Sequence, residues 1–111
     1  KASIAKNLAR ASKKAQITIS ALPAHALDDE AKSLAAARLW KPGGVLLDVA
    51  YNPWPSELAS AWSSREIQVI SGIEMLIWQA VAQVRIFRTG DPSVELPNEI
   101  AVVEAMRIAS E

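Results

Sequence analysis

The chain has 111 residues, half of them hydrophobic, which is enough for one domain with one core and argues against disorder. Twelve basic and twelve acidic residues cancel, leaving no basic stripe to follow a phosphate backbone, and this argues against nucleic acid as a partner. The chain has no cysteine and His25 is its single histidine, so it can build no disulfide, thiolate centre, His-based metal cluster or Ser-His-Asp triad.

Lys1 opens inside a helical pattern of Ile4, Leu8, Ala11 and Ala15, with neither an initiator Met nor a signal peptide. That reads as a cut edge. The pattern predicts a helix from Lys1 to Ala15 with its basic residues off the apolar stripe. Gln16 to Leu22 alternates Ile17 and Ile19 with Thr18 and Ser20, a strand that Pro23 ends. Asp28 and Asp29 are expected as N-cap and first turn of a helix running to Trp40. Lys41-Pro42-Gly43-Gly44 is a turn. Val45 to Ala50 is apolar on both faces apart from Asp48, which suits a strand covered by helices on both sides.

Asn52-Pro53-Trp54-Pro55 reads as a rigid loop, and Ser56 as the N-cap of a helix carrying Leu58, Ala59, Ala61 and Trp62. Ile67 to Ile70 is a short strand. Ser71-Gly72 leads into a long helix, Ile73 to Arg88. Its most apolar stretch, Ile73 to Val84, falls short of the ~20 residues of a membrane span and contains Glu74, Gln79 and Gln83. Thr89-Gly90-Asp91-Pro92 stops it, and Pro97 or Asn98 starts a last helix. Alternating helices and short apolar strands predict an α/β fold: a partial Rossmann-like parallel sheet of about three strands with flanking helices and a C-terminal helical pair.

Three segments carry a more specific signal. They are Ile19-Ser20-Ala21-Leu22-Pro23-Ala24, then Leu47-Asp48-Val49-Ala50-Tyr51-Asn52-Pro53, then Ser71-Gly72-Ile73-Glu74-Met75-Leu76-Ile77-Trp78-Gln79-Ala80-Val81-Ala82-Gln83. The pattern D-x-x-Y-x-P followed, after roughly twenty residues, by G-x-x-M-L-x-x-Q-A-x-x-Q resembles the C-terminal part of shikimate dehydrogenases. The resemblance runs from about Ile17 to Gly90.

It implies a cytoplasmic enzyme of aromatic amino-acid biosynthesis that reduces 3-dehydroshikimate to shikimate with NADP. It also implies that residues 1–111 are the C-terminal portion of its nucleotide-binding domain. Val49, Gly72, Met75 and Leu22 would then lie along the cofactor. Tyr51 and Gln79 would contact the substrate. A Gly at a strand–helix turn admits a close approach to the backbone. A Gln amide offers both donors and an acceptor to a polyhydroxy ring, and Tyr presents a flat apolar wall with a polar tip.

Taken singly, the same residues have plainer readings. Gln79 reads as a solvated helix position, Tyr51 as a partly buried packing residue and Met75 as core filler. Asp48 reads as a buried cap for a neighbouring helix. Trp40, Trp54 and Trp62 read as packing anchors, and His25 as a surface loop residue. Trp78 departs from the family pattern beside Gln79.

No Gly-rich phosphate loop is found, since Gly43-Gly44 precedes a strand and not a helix. The family's catalytic Lys and Asp belong to a separate N-terminal substrate domain, so no residue here takes a catalytic role. The expectation is therefore a fragment without activity of its own. Two alternatives stand beside it. One is a quinate/shikimate dehydrogenase paralogue using NAD. The other is a non-catalytic half-domain that folds by self-association, pairing exposed sheet edges as a homo-oligomer.

Overall fold

The computed structural model describes residues 7–111. The chain forms two compact units, Lys1–Gly72 and Ile73–Glu111.

In the first unit, α1 (Leu8–Lys14) starts at Asn7, whose side chain accepts a hydrogen bond from the Arg10 N–H at 3.1 Å. The part of the expected first helix that precedes Asn7 lies outside the described residues. The strands are β1 (Ile17–Ser20), β2 (Val45–Asp48) and β3 (Val69–Ser71), parallel and in the order β1-β2-β3. Helices α2 (Asp28–Ala36) and α3 (Glu57–Ser63) connect them. This is the predicted α/β parallel sheet, with strands shorter than expected at one or both ends.

Register explains which side of the sheet is core. Pairing puts Ile17, Val45, Ile19, Leu47 and Ile70 on one face, and Ser20, Leu46, Asp48 and Ser71 on the other. Leu46 is fully buried among Ala31, Leu34, Trp40, Leu58, Ala59, Ala61 and Trp62. Within this unit the helices cover that face. On the opposite face Ile17 and Ile19 of β1 are 64% and 63% exposed, while Val45 and Leu47 of β2 are half-buried.

The helix expected to reach Trp40 ends at Ala36. The reason is the core. Unwinding lets Trp40 turn inward, where its ring meets Trp62 edge-on at 5.0 Å and its Nε1 donates to Ser12 Oγ at 3.0 Å. Arg65 then takes up carbonyls freed by the unwinding: Nε donates to Trp40 O at 2.9 Å, and the same guanidinium reaches Ala35 O and Ala37 O. The N-terminus of α2 also differs from expectation. Leu27 occupies the cap with no side-chain bond, and Asp28, Asp29 and Glu30 fill the first turn, where the helix dipole favours carboxylates. Trp40 and Trp62 are packing anchors; Trp54 is 41% exposed and is not.

Gly44 fits a close backbone contact. A Cβ there would overlap the Gln16 carbonyl oxygen, and the next residue, Val45, donates its N–H to that same oxygen at 3.1 Å. The Gly-Gly pair thus seals the turn onto the start of β1.

In the second unit, α4 (Gly72–Thr89, its first residue belonging to the first unit) is followed by α5 (Glu99–Ala109). Ile77, Val81 and Val103 form its core, with Met106 packed against them. Two bidentate pairs pin this hairpin at its ends. Arg107 donates to both oxygens of Glu74 at 2.8 and 2.9 Å, and Arg85 donates to both oxygens of Glu99. The Arg107 guanidinium holds the Glu74 carboxyl below the usual glutamate range, and Arg85 does the same for Glu99.

Candidate functional site

The three strands end level: Ser20, Asp48 and Ser71 are register partners. Their carboxyl edge is where an open parallel sheet binds ligands. Four of the six expected site residues belong to the first unit at or just beyond this edge.

Val49 is the first residue after β2 and is half-buried. Its N–H donates to Ser20 O at 2.9 Å, which ties it to the end of β1. Its own carbonyl faces Gly72. A Cβ on Gly72 would overlap Val49 O, with the carbonyl carbon only 2.6 Å away. The structure therefore brings Val49 and Gly72 together. The missing Cβ of Gly72 is used for this backbone contact between strand ends. Leu22 lies two residues beyond β1 and is 48% exposed. With Ala50 and Ser56 it lines a small pocket between the β1–α2 and β2–α3 loops. Tyr51 is 54% exposed, so it is not the partly buried packing residue that it suggests when read alone.

Met75 and Gln79 belong to α4 in the second unit, one turn apart on the same helix face. Gln79 is exposed and Met75 half-buried. Trp78, next to Gln79, is 49% exposed.

Asp48 gains most from the structure. The residue is 2% exposed. It accepts the Ser56 hydroxyl at 2.5 Å and the Ala50 N–H at 3.2 Å. Ser56 is the N-cap of α3 and accepts the Ala59 N–H at 3.0 Å. Asp48 is buried as its plainer reading has it, but the cap of α3 is Ser56, and Asp48 supports that cap by accepting its hydroxyl. The Asp48–Ser56 bond, eight residues apart, was not foreseen; the polar residue in an otherwise apolar strand was the available signal.

His25 bonds the Asp28 carboxylate at 2.8 Å on the exposed β1–α2 loop, beside a cavity of about 80 Å³ that Ser56 and Glu57 also line. The Ser56 hydroxyl donates to Asp48 and not to His25. Among the described residues no His, Asp and Glu cluster could hold a metal ion, and no helix is long and apolar enough to cross a membrane. The edge presents the half-buried Val49, the exposed Tyr51 ring and a buried carboxylate whose oxygens are bonded within the β2–α3 loop.

No protein-family model matches the chain. Curated relatives do. The chain is 34% identical over 56 residues to a shikimate dehydrogenase (NADP(+)) of Dehalococcoides mccartyi, which covers 50% of this chain and 20% of that protein. It is 30% identical over 74 residues to the Pyrococcus furiosus shikimate dehydrogenase (NADP(+)), covering 67% of this chain and 27% of that one. Among solved structures, the Mycobacterium tuberculosis shikimate dehydrogenase superposes with a TM-score of 0.69 at 36% identity, over 93% of this chain and 35% of its own. The shikimate 5-dehydrogenase of Mycobacterium fortuitum gives the same TM-score at 34% identity, over 92% and 34%. The chain thus spans about a quarter of the curated relatives and a third of the solved chains. Over that span, in sequence and in fold, the chain belongs to the shikimate dehydrogenases.

Proposed function

We propose that the chain supplies the nicotinamide-side wall of an NADP-dependent shikimate dehydrogenase, which reduces 3-dehydroshikimate to shikimate in aromatic amino-acid biosynthesis. The observation that carries this reading is the level carboxyl edge of the parallel sheet, with Val49 and Gly72 in backbone contact and Leu22 two residues beyond the end of β1. The relatives' names supply the cofactor and the substrate. When bound, the cofactor supplies a hydride for the C3 carbonyl carbon of the substrate ring.

The chain's own residues have binding roles. Val49 and Leu22 line the nicotinamide end and keep water from it. Gly72 holds the end of β2 close to the start of α4, and Met75 takes its cofactor role from the family pattern alone. Tyr51 lies against the substrate, and the Gln79 amide bonds one of its hydroxyls. The carbonyl oxygen needs a proton, which comes from an acid–base pair in a substrate domain that these residues do not include. Nor do they include a phosphate loop: Gly43 and Gly44 are packed against the α1–β1 backbone.

The test has two parts. Shikimate-dependent NADP reduction is assayed spectrophotometrically on the 111-residue chain, and no turnover is expected; turnover would refute the assignment of acid–base chemistry elsewhere. Amide shifts of the labelled chain are followed with NADP, NAD and shikimate. The reading expects Val49 and Gly72 to respond to the nucleotide and Gln79 to shikimate. A response to NAD but not NADP would favour the quinate/shikimate paralogue.

A second reading is favoured by one observation, the exposed Ile17 and Ile19 on edge strand β1. Here the chain is a half-domain that self-associates through that edge. Sedimentation as a strict monomer at high concentration would end it.

A further inference from the structure

The residue least explained by cofactor or substrate contact is Asp48. A carboxylate withdrawn from water costs several kcal/mol unless its oxygens are bonded, and nothing about packing beside Leu46 calls for one. Both oxygens are used: Oδ1 accepts Ala50 N–H and Oδ2 accepts the Ser56 hydroxyl. These partners stand at the two ends of the β2–α3 loop, and between them lies Tyr51, exposed, with Val49 at the loop's root.

The bonds also run in one direction. Ala59 N–H donates to Ser56 Oγ, and the Ser56 hydroxyl donates to Asp48. The α3 cap therefore orients the hydroxyl, and the hydroxyl fixes the carboxylate. Among the described residues every buried side-chain polar atom has a partner, so this relay is complete.

We propose that Asp48 is a positioning residue: it clamps both ends of the Val49–Pro55 loop and so places Val49 and Tyr51 at the carboxyl edge without touching a ligand. The ligand side of this inference rests on the cofactor reading given above. The clamp itself does not.

The experiment uses the isotope-labelled 111-residue chain, with nicotinamide mononucleotide as probe. Backbone heteronuclear NOEs report loop order, and titration of the Val49 and Gly72 amides reports binding. Asp48→Asn keeps size and shape but only one acceptor oxygen, so its NH₂ must face either the Ser56 hydroxyl or the Ala50 N–H, and one of the two bonds is lost. It should lower the NOEs of residues 49–51 and weaken mononucleotide binding about fivefold to tenfold, as one lost charge-assisted hydrogen bond would do. Ser56→Ala should follow it, and Ser56→Thr, which keeps the hydroxyl, should behave as wild type.

Unchanged loop order in both Asp48→Asn and Ser56→Ala would overturn the clamp. Loosened loops with unchanged mononucleotide affinity would overturn its positioning role. Should the wild-type chain show no response to the mononucleotide, the cofactor reading fails, and the NOEs alone decide the clamp. Should Asp48→Asn fail to fold, the Ser56→Ala and Ser56→Thr pair decides it.

Discussion

Replacing Gly72 by Ala puts the contact between β2 and the start of α4 to a direct test. The new Cβ would meet backbone, not a movable side chain: it would overlap Val49 O and lie 2.6 Å from Val49 C. Ordinary carbon contacts begin near ~3.5 Å, so the strand end and the helix start must separate by about 1 Å. Overpacking of this kind costs about 1–3 kcal/mol, and a rigid obstacle argues for the upper end. At roughly 4–8 °C per kcal/mol for a domain of this size, the midpoint should fall by about 10–20 °C.

Gly90→Ala is the control. Gly90 has φ +78° and nothing within 4 Å of a built Cβ, so it tests backbone conformation alone and should cost only about 1 kcal/mol. Thermal unfolding followed by far-UV circular dichroism reads both. If Gly72→Ala melts within about 2 °C of wild type, or no lower than Gly90→Ala, the close-contact reasoning is wrong.

Arg65→Ala should destabilise the first unit by about 1–2 kcal/mol in urea titration, because three carbonyls at the unwound end of α2 lose their donor. The second unit should weaken in acid. Both Glu74 and Glu99 have folded-state pKa values below 4.5, so their contribution is present above the unfolded value and is lost as pH falls through the lower, folded one. Hydrogen exchange in residues 73–111 should accelerate below about pH 4.5, and Glu99→Gln should blunt the change; exchange that is flat with pH apart from its chemical rate would contradict this. If the wild-type chain associates through β1, Ile19→Lys should render it monomeric in sedimentation, since a charge on an edge strand blocks pairing; an unchanged oligomer would rule that edge out.

Much of this was readable from residue order alone. Alternation of strand and helix, the Gly-Gly turn, the Ser56 cap and the stop after Thr89 all depend on local chemistry, and each appears in the fold. What was not readable depends on distant partners. The end of α2 was misplaced because Trp40 gains more by meeting Trp62 and Ser12 than by continuing a helix, and Arg65, 25 residues away, makes that exchange possible. The exposure of Ile17 and Ile19 was not readable either, because an apolar strand looks the same at the edge of a sheet and in its middle. At the candidate site, Val49, Tyr51 and Gly72 came from a motif, and their setting came only with coordinates. The contact of Gly72 with Val49 and the Asp48–Ser56 bond both cross between elements.

The sealed turn at Gly44 limits where this chain can change in length. Because Val45 bonds Gln16 at the very point where the glycine meets it, one residue inserted or deleted between Lys41 and Val45 would shift β2 by a step or force that contact apart. A single step would turn Leu46 and Asp48 outward and bring Leu47 into the helix-covered layer. Length variation should therefore be refused before β2 and accepted after it, in the exposed middle of the 49–55 loop. Chains of this lineage would then be free to reshape the mouth of the edge while holding the start of each strand constant.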